Sequence, residues 1–158
     1  MLARYNRRAN QLFYASCATL EDGARKQDRG AFFRSIHGTL NHLLIGDGIW
    51  MARFEGGQAP STGLDAIVHE DFAELRAARA AMDLRIERFM DAMAADFASG
   101  TIAYVNNQGL LYTDSIAMLL AHFFNHQTHH RAQIHTLLSQ AGIAPPILDL
   151  HRVIKPVP

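Results

Sequence analysis

Between Val68 and Phe97, the apolar residues Val68, Phe72, Leu75, Met82, Ile86, Phe89, Met93 and Phe97 recur mostly at three- and four-residue steps. That repeat follows the 3.6-residue turn of an α-helix, not the two-residue alternation of a strand. It predicts a helix over 66–97. One place is irregular: Arg79 fills the gap between Leu75 and Met82, where its aliphatic stem can still pack. A helix with one apolar stripe has to bury it against other elements, so the rest of the chain must supply partners.

Three further helices are expected. Residues 2–21 carry Tyr5, Ala9, Leu12, Ser16 and Leu20 at helical spacing, followed by a polar loop over 23–30. Residues 31–54 form the second, with Phe33, Ile36, Leu40 and Leu44 on its buried side. The segment EGGQAPSTG, 55–63, is the longest connection. After the third helix the period changes. TIAYVN (101–106) and LLYT (110–113) flank NQG and predict a hairpin with Gly109 in a left-handed turn position. A fourth helix over 114–141 is stopped by Gly142, Pro145 and Pro146. The tail ILDLHRVIKPVP is expected to dock on the helices, its two last prolines excluding a long fifth helix. The expectation is an all-α domain over residues 1–158. Its architecture is a four-helix bundle with crossover, non-sequential connections and a short β-hairpin before the last long helix.

Composition narrows the function. Lys plus Arg and Asp plus Glu balance at fifteen each among 158 residues. This leaves no basic stripe for nucleic acid or an anionic membrane surface. Cys17 is alone, which excludes a disulfide framework and points to a reducing compartment. Arg4, Arg7 and Arg8 precede LFYASCA in a faint likeness of a secretion signal, but Asn10 and Gln11 interrupt the apolar run. No apolar stretch is long enough to span a bilayer. A cytoplasmic protein without membrane or nucleic-acid partners is expected.

Against this plain background, HFFNHQTHHRAQIH (122–135) holds five of nine histidines. On a helix, positions four apart differ by about 40° and stand one turn above each other. His122, His126 and His130 therefore form a ladder, and His129 lies about 60° from His126 on the other side. The pairs 122/126 and 126/130 are equally able to grip one ion, as in HExxH sites, and spacing does not choose between them. The plain alternative is a solvated or hydrogen-bonded histidine stripe. A third ligand should come from a facing helix, and His42 is the best placed, with Gly38 and Gly46 one turn to either side. Two glycines inside a helix cost about 1 kcal/mol each against alanine. They make room either for an ion or substrate or for tight helix packing. His37, His69 and His151 are less well placed.

NHLLIGDGIW (41–50) and HFFNHQTHHRAQIHTLLSQAG (122–142) resemble the DinB family. This family lies within a superfamily of thiol-dependent S-transferases and maleylpyruvate isomerases. The likeness extends from YNRRAN to the terminal LDL and is most specific at NHxxHHRxQ, from Asn125. It implies a bundle with crossover topology, a homodimer, and a divalent metal held by His42, His126 and His130, with His122 and His129 in supporting or surface roles. Where relatives usually carry Gly after HHR, this chain has Ala132, expected to spare the metal and narrow a helix contact.

Three neutral imidazoles leave an ion its full charge and an open position, the pattern of catalytic sites. Such an ion lowers the pKa of bound water to about 7 or holds a thiol as thiolate. Zinc is the first expectation and nickel the second. One reading is a metal-dependent transferase or hydrolase in which a low-molecular-weight thiol or water attacks a small electrophilic molecule. The other is a non-catalytic metal-binding or stress-related protein. Asp47 and Gln133 are candidate acid/base or supporting groups. Asp47 lies about 140° around the helix from His42, so its plainer role is an ion pair with an arginine; Gln133 can orient His130 or satisfy local hydrogen bonds. Trp50 and Tyr104 are candidate pocket walls.

Overall fold

The structure is a computed structural model and describes residues 1–154. Its elements, in chain order, are helices α1 (Leu2–Cys17), α2 (Asp22–Lys26), α3 (Ile36–Phe54) and α4 (Phe72–Ala92), a 3₁₀ turn (Phe97–Ser99), strands β1 (Thr101–Val105) and β2 (Leu111–Ser115), and helices α5 (Ile116–Gln140) and α6 (Leu150–Val153). The molecule is mostly helical, and the antiparallel hairpin β1–β2 directly precedes α5. Tyr104 pairs with Tyr112, and Gly109 turns the chain at φ +79°, the left-handed position expected of it. The last part of the tail, Lys155 to Pro158 with its two prolines, lies outside the described residues.

The expected helices exist but are shorter. The third begins at Phe72, because Asp71 caps it by accepting from the Glu74 amide, and ends at Ala92. Val68 is thus left in the connection and Phe97 in the 3₁₀ turn. The second begins at Ile36, where the Ser35 hydroxyl accepts from the Gly38 amide. Phe33 therefore precedes the helix instead of lying on its stripe. The loop expected over 23–30 starts inside α2, and the first helix stops at Cys17.

Helix α1 packs on α4 and α5, and α3 packs on the same two. Two apolar clusters fill the interior. One gathers Phe13, Ile36, Leu40, Leu75, Ile134 and Leu138; the other gathers Ala3, Met51, Phe54, Ile86, Leu119 and Phe123. On all four long helices a group of buried polar residues falls between the two clusters: Asn6 and Asn10, Asp47, Arg79 and Asp83, Gln127 and Arg131. Arg79 binds Asp47 at 2.6 Å and Asp83 at 2.9 Å. Asn10 donates to Asp83 at 2.8 Å, Gln127 donates to Asp47 at 2.8 Å, and Arg131 donates to Asn6. Two carboxylates and two guanidiniums thus share one buried belt, which answers the desolvation of each charge with partners.

The connection 55–71 is tied down by α3. Buried Asn41 accepts from the amides of Val68 and His69 at 3.0 Å each, and His37 donates to the His69 carbonyl at 2.8 Å. Among the described residues, no helix is long and apolar enough to cross a membrane.

Candidate metal centre

Three imidazoles converge where α3 meets α5. His42 Nε2 lies 3.3 Å from His126 Nε2 and 3.1 Å from His130 Nε2. All three donor nitrogens stand within 4.8 Å of one another, and among the described residues no further His, Cys, Asp or Glu completes such a group. Nitrogens bound at about 2.0–2.1 Å to a tetrahedral ion stand about 3.3 Å apart. His42 holds that spacing to both of its partners without help. Of the two ladder pairs that spacing left open, the structure brings 126/130 to His42 and leaves His122 outside.

The outer ring nitrogens fix the protons. His42 Nδ1 is 2.8 Å from the Leu64 carbonyl, which only accepts, so the proton sits on Nδ1 and the neutral ring presents a bare lone pair at Nε2. His130 Nδ1 donates to Gln133 Oε1 at 2.7 Å, with the same result at its Nε2. Two lone pairs 3.1 Å apart repel unless a cation lies between them. His126 Nδ1 is buried without a partner. Burial first, then the neighbouring imidazoles, push the His126 pKa down to about 3. Burial drives His130 down to about 4, against the opposing Gln133 bond, and holds His42 below its ordinary value. A proton is thus a poor occupant near neutral pH, whereas a divalent ion would satisfy all three nitrogens. The cluster can hold a metal ion.

Both glycines beside His42 make room, for different neighbours. A Cβ at Gly46 would meet His126 Cε1 at 3.0 Å, so the bare backbone there lets His126 approach. A Cβ at Gly38 would lie 2.2 Å from the Phe33 carbonyl oxygen. Gly38 admits the chain entering α3, where Arg34 takes φ +64°. That entry lays the Phe33 ring flat on His42, with centroids 3.7 Å apart and planes 16° apart.

The sequence matches the model of the DinB family over residues 1–156. The chain belongs to the DinB family. No curated protein sequence matches it significantly. Family and histidine cluster together are compatible with metal binding.

In this DinB chain a cleft of about 390 Å³ opens beside the cluster, reaching His42 and His126. Trp50 and Tyr104 do line it, together with His122, whose ring packs edge-on to Trp50 at 5.3 Å. His129 stands edge-on to His130 at 4.8 Å. Gln133, half-buried, is the hydrogen-bond partner of a cluster imidazole, whereas Asp47, fully buried, faces Arg79 and Gln127. Ala132 is exposed, so its methyl group narrows no buried helix contact. Sequence reading missed Phe33 as a platform for His42, Leu64 as its carbonyl partner and Asn41 as the clamp of the connection. Asn41, a poor helix former inside a helix, carried a signal; a backbone carbonyl in an irregular connection carries none.

Proposed function

We propose that His42, His126 and His130 form a divalent-metal centre, zinc first and nickel next. The protein would then be a metal-dependent transferase or hydrolase that turns a low-molecular-weight thiol or a water against a small electrophilic molecule. The observation that carries this is the pair of unprotonated Nε2 atoms of His42 and His130 at 3.1 Å, each with its proton committed to an outer acceptor. A bound ion with three neutral ligands would supply Lewis acidity and a nucleophile at neutral pH.

The chain's own residues supply the rest. The Leu64 carbonyl and Gln133 hold two rings in the required tautomer, as such partners do for ligating histidines. Phe33 covers one face of His42 and limits water there. Trp50 and Tyr104 give the cleft apolar walls beside the ligands. Gln133 acts through His130, and Asp47 is assigned to the buried belt rather than to acid/base chemistry. The cleft favours catalysis over a purely structural ion, since a closed site would need a fourth donor and no opening.

The same reading includes one domain over 1–158 built as a four-helix bundle. Crossover connections are supported by the order in which helices pass the two apolar clusters, α1 and α5 one way, α3 and α4 the other. It also includes a cytoplasmic homodimer without nucleic-acid partners, for which exposed Val105, Leu110, Leu111 and Met118 offer a contact surface.

Elemental analysis of untagged protein, purified without nickel resin, tests the centre. One zinc or nickel per chain is expected in the wild type, and almost none in His42→Ala, His126→Ala or His130→Ala. Cobalt substitution tests the open position. A visible spectrum indifferent to added thiols and anions, with a melting temperature that collapses on chelation, would assign the ion a structural role.

A further inference from the structure

Among the described residues, Arg53 is the one cationic side chain lining the cleft beside the histidine cluster, and no Asp or Glu lines it. Its guanidinium lies 4.7 Å above the Trp50 ring and 4.4 Å above that of Tyr104, and one of its N–H groups donates to the Val105 carbonyl at 3.0 Å. Among the described residues it pairs with no carboxylate, although it is half-buried. The other guanidinium edge is therefore a fixed cation whose counter-charge the cleft does not provide. Arg53 follows His42 by eleven positions, about 20° around α3 and about 16 Å along it. The two sit on one face of the helix at opposite ends of the cleft.

We infer that Arg53 is a ligand-binding residue, and that the cleft takes an extended small molecule bearing a carboxylate against Arg53 while its other end reaches the histidine cluster. The inference deepens the metal-centre reading by naming a substrate class, and it rests on that reading for the second end only. A planar guanidinium suits a carboxylate because it can donate two parallel hydrogen bonds. Trp50 and Tyr104 hold it in place beforehand, so little side-chain entropy is lost on binding. The volume and aromatic walls suit an organic body rather than an inorganic anion.

Two probes isolate the carboxylate: 6-mercaptohexanoate and 6-mercaptohexanol, alike except at the distal group. Zinc content is measured first, and affinities are then read by calorimetry. Trp50 is the only tryptophan, so its fluorescence reports whether the probe enters this cleft. On the zinc-loaded wild type the carboxylate probe should bind about tenfold tighter. In Arg53→Gln that preference should vanish while zinc content and mercaptohexanol affinity hold; Arg53→Lys should restore part of it. If Arg53 only pinned the hairpin to α3, both affinities would fall together and their ratio would survive, which overturns the inference. So would equal binding of both probes to the wild type, or no binding of either at millimolar concentration. If the chain takes up no zinc, the metal reading fails separately. The pair is then run on metal-free protein, where an Arg53-dependent carboxylate preference is still required. Hexanoate added after 2-mercaptoethanol has capped the zinc locates the carboxylate's source. Arg53-dependent binding places it on the electrophile, and its absence, with the mercaptohexanoate preference intact, places it on the thiol.

Discussion

Gly46 faces His126 across the α3–α5 contact so closely that a methyl group would crowd the ring, since a Cβ there would stand 3.0 Å from the ring carbon Cε1. Gly46→Ala should therefore separate metal binding from folding. Alanine gains about 1 kcal/mol of helix propensity, while His126 has to move by a few tenths of an ångström. Expected are a metal-free melting temperature at or above wild type and a zinc affinity reduced about tenfold. Competition with a chromophoric chelator measures the second. An unchanged affinity would mean that His126 is free to shift.

Gln133 supports the centre from behind. Gln133→Leu removes the acceptor for His130 Nδ1 and frees that ring to carry its proton on the inner nitrogen. Loss of such partners lowers metal affinity by about ten- to a hundredfold. Because Gln133 is only half-buried, the urea midpoint of the metal-free protein should hardly change.

Protons should destabilise the metal-free fold on the acid side. His126 and His130 titrate at about 3 and about 4 in the folded chain, and at about 6.5 once unfolded. Between these values the unfolded chain holds protons that the folded one does not. Stability is thus complete above about pH 6.5 and declines as pH falls toward 4. Each ring contributes a slope of at most about 1.4 kcal/mol per pH unit, less what solvent screening removes. Urea unfolding of chelator-treated protein should show this decline, and His126→Gln should flatten it. For the same reason zinc affinity should vary little between about pH 8 and 6.

The belt should be the most fragile part of the interior. Arg79 separates Asp47 from Asp83, and both carboxylates are fully buried. Arg79→Met strands two buried negative charges and should cost about 3–5 kcal/mol of stability in urea unfolding. Replacing Asp47 and Asp83 by leucine in the same chain should recover most of that loss, because an apolar trio has no charge to desolvate.

The sequence made the helices legible because their stripes are long. Their ends were not, since Ser35 and Asp71 outrank the apolar pattern as helix starts. Arg79 was visible as the flaw in an otherwise apolar stripe, but its partners on α3, and the amide and guanidinium groups of α1 and α5, needed the packed fold. The three histidines were narrowed from spacing to two alternatives, and family likeness chose between them. Helical period gives angles around one axis and says nothing of what lies across a contact. Phe33 on His42 and Arg53 on Trp50 and Tyr104 were therefore beyond it.

His42 stands 84 residues before His126 and 88 before His130. While the chain is being synthesised, most of it must emerge before the two sides of the cradle can meet. No early fragment can therefore sequester an ion by means of this trio. In the proposed metal centre, loading would then be one of the last events in the life of the nascent polypeptide, and an occupied centre would certify that the distant halves have joined.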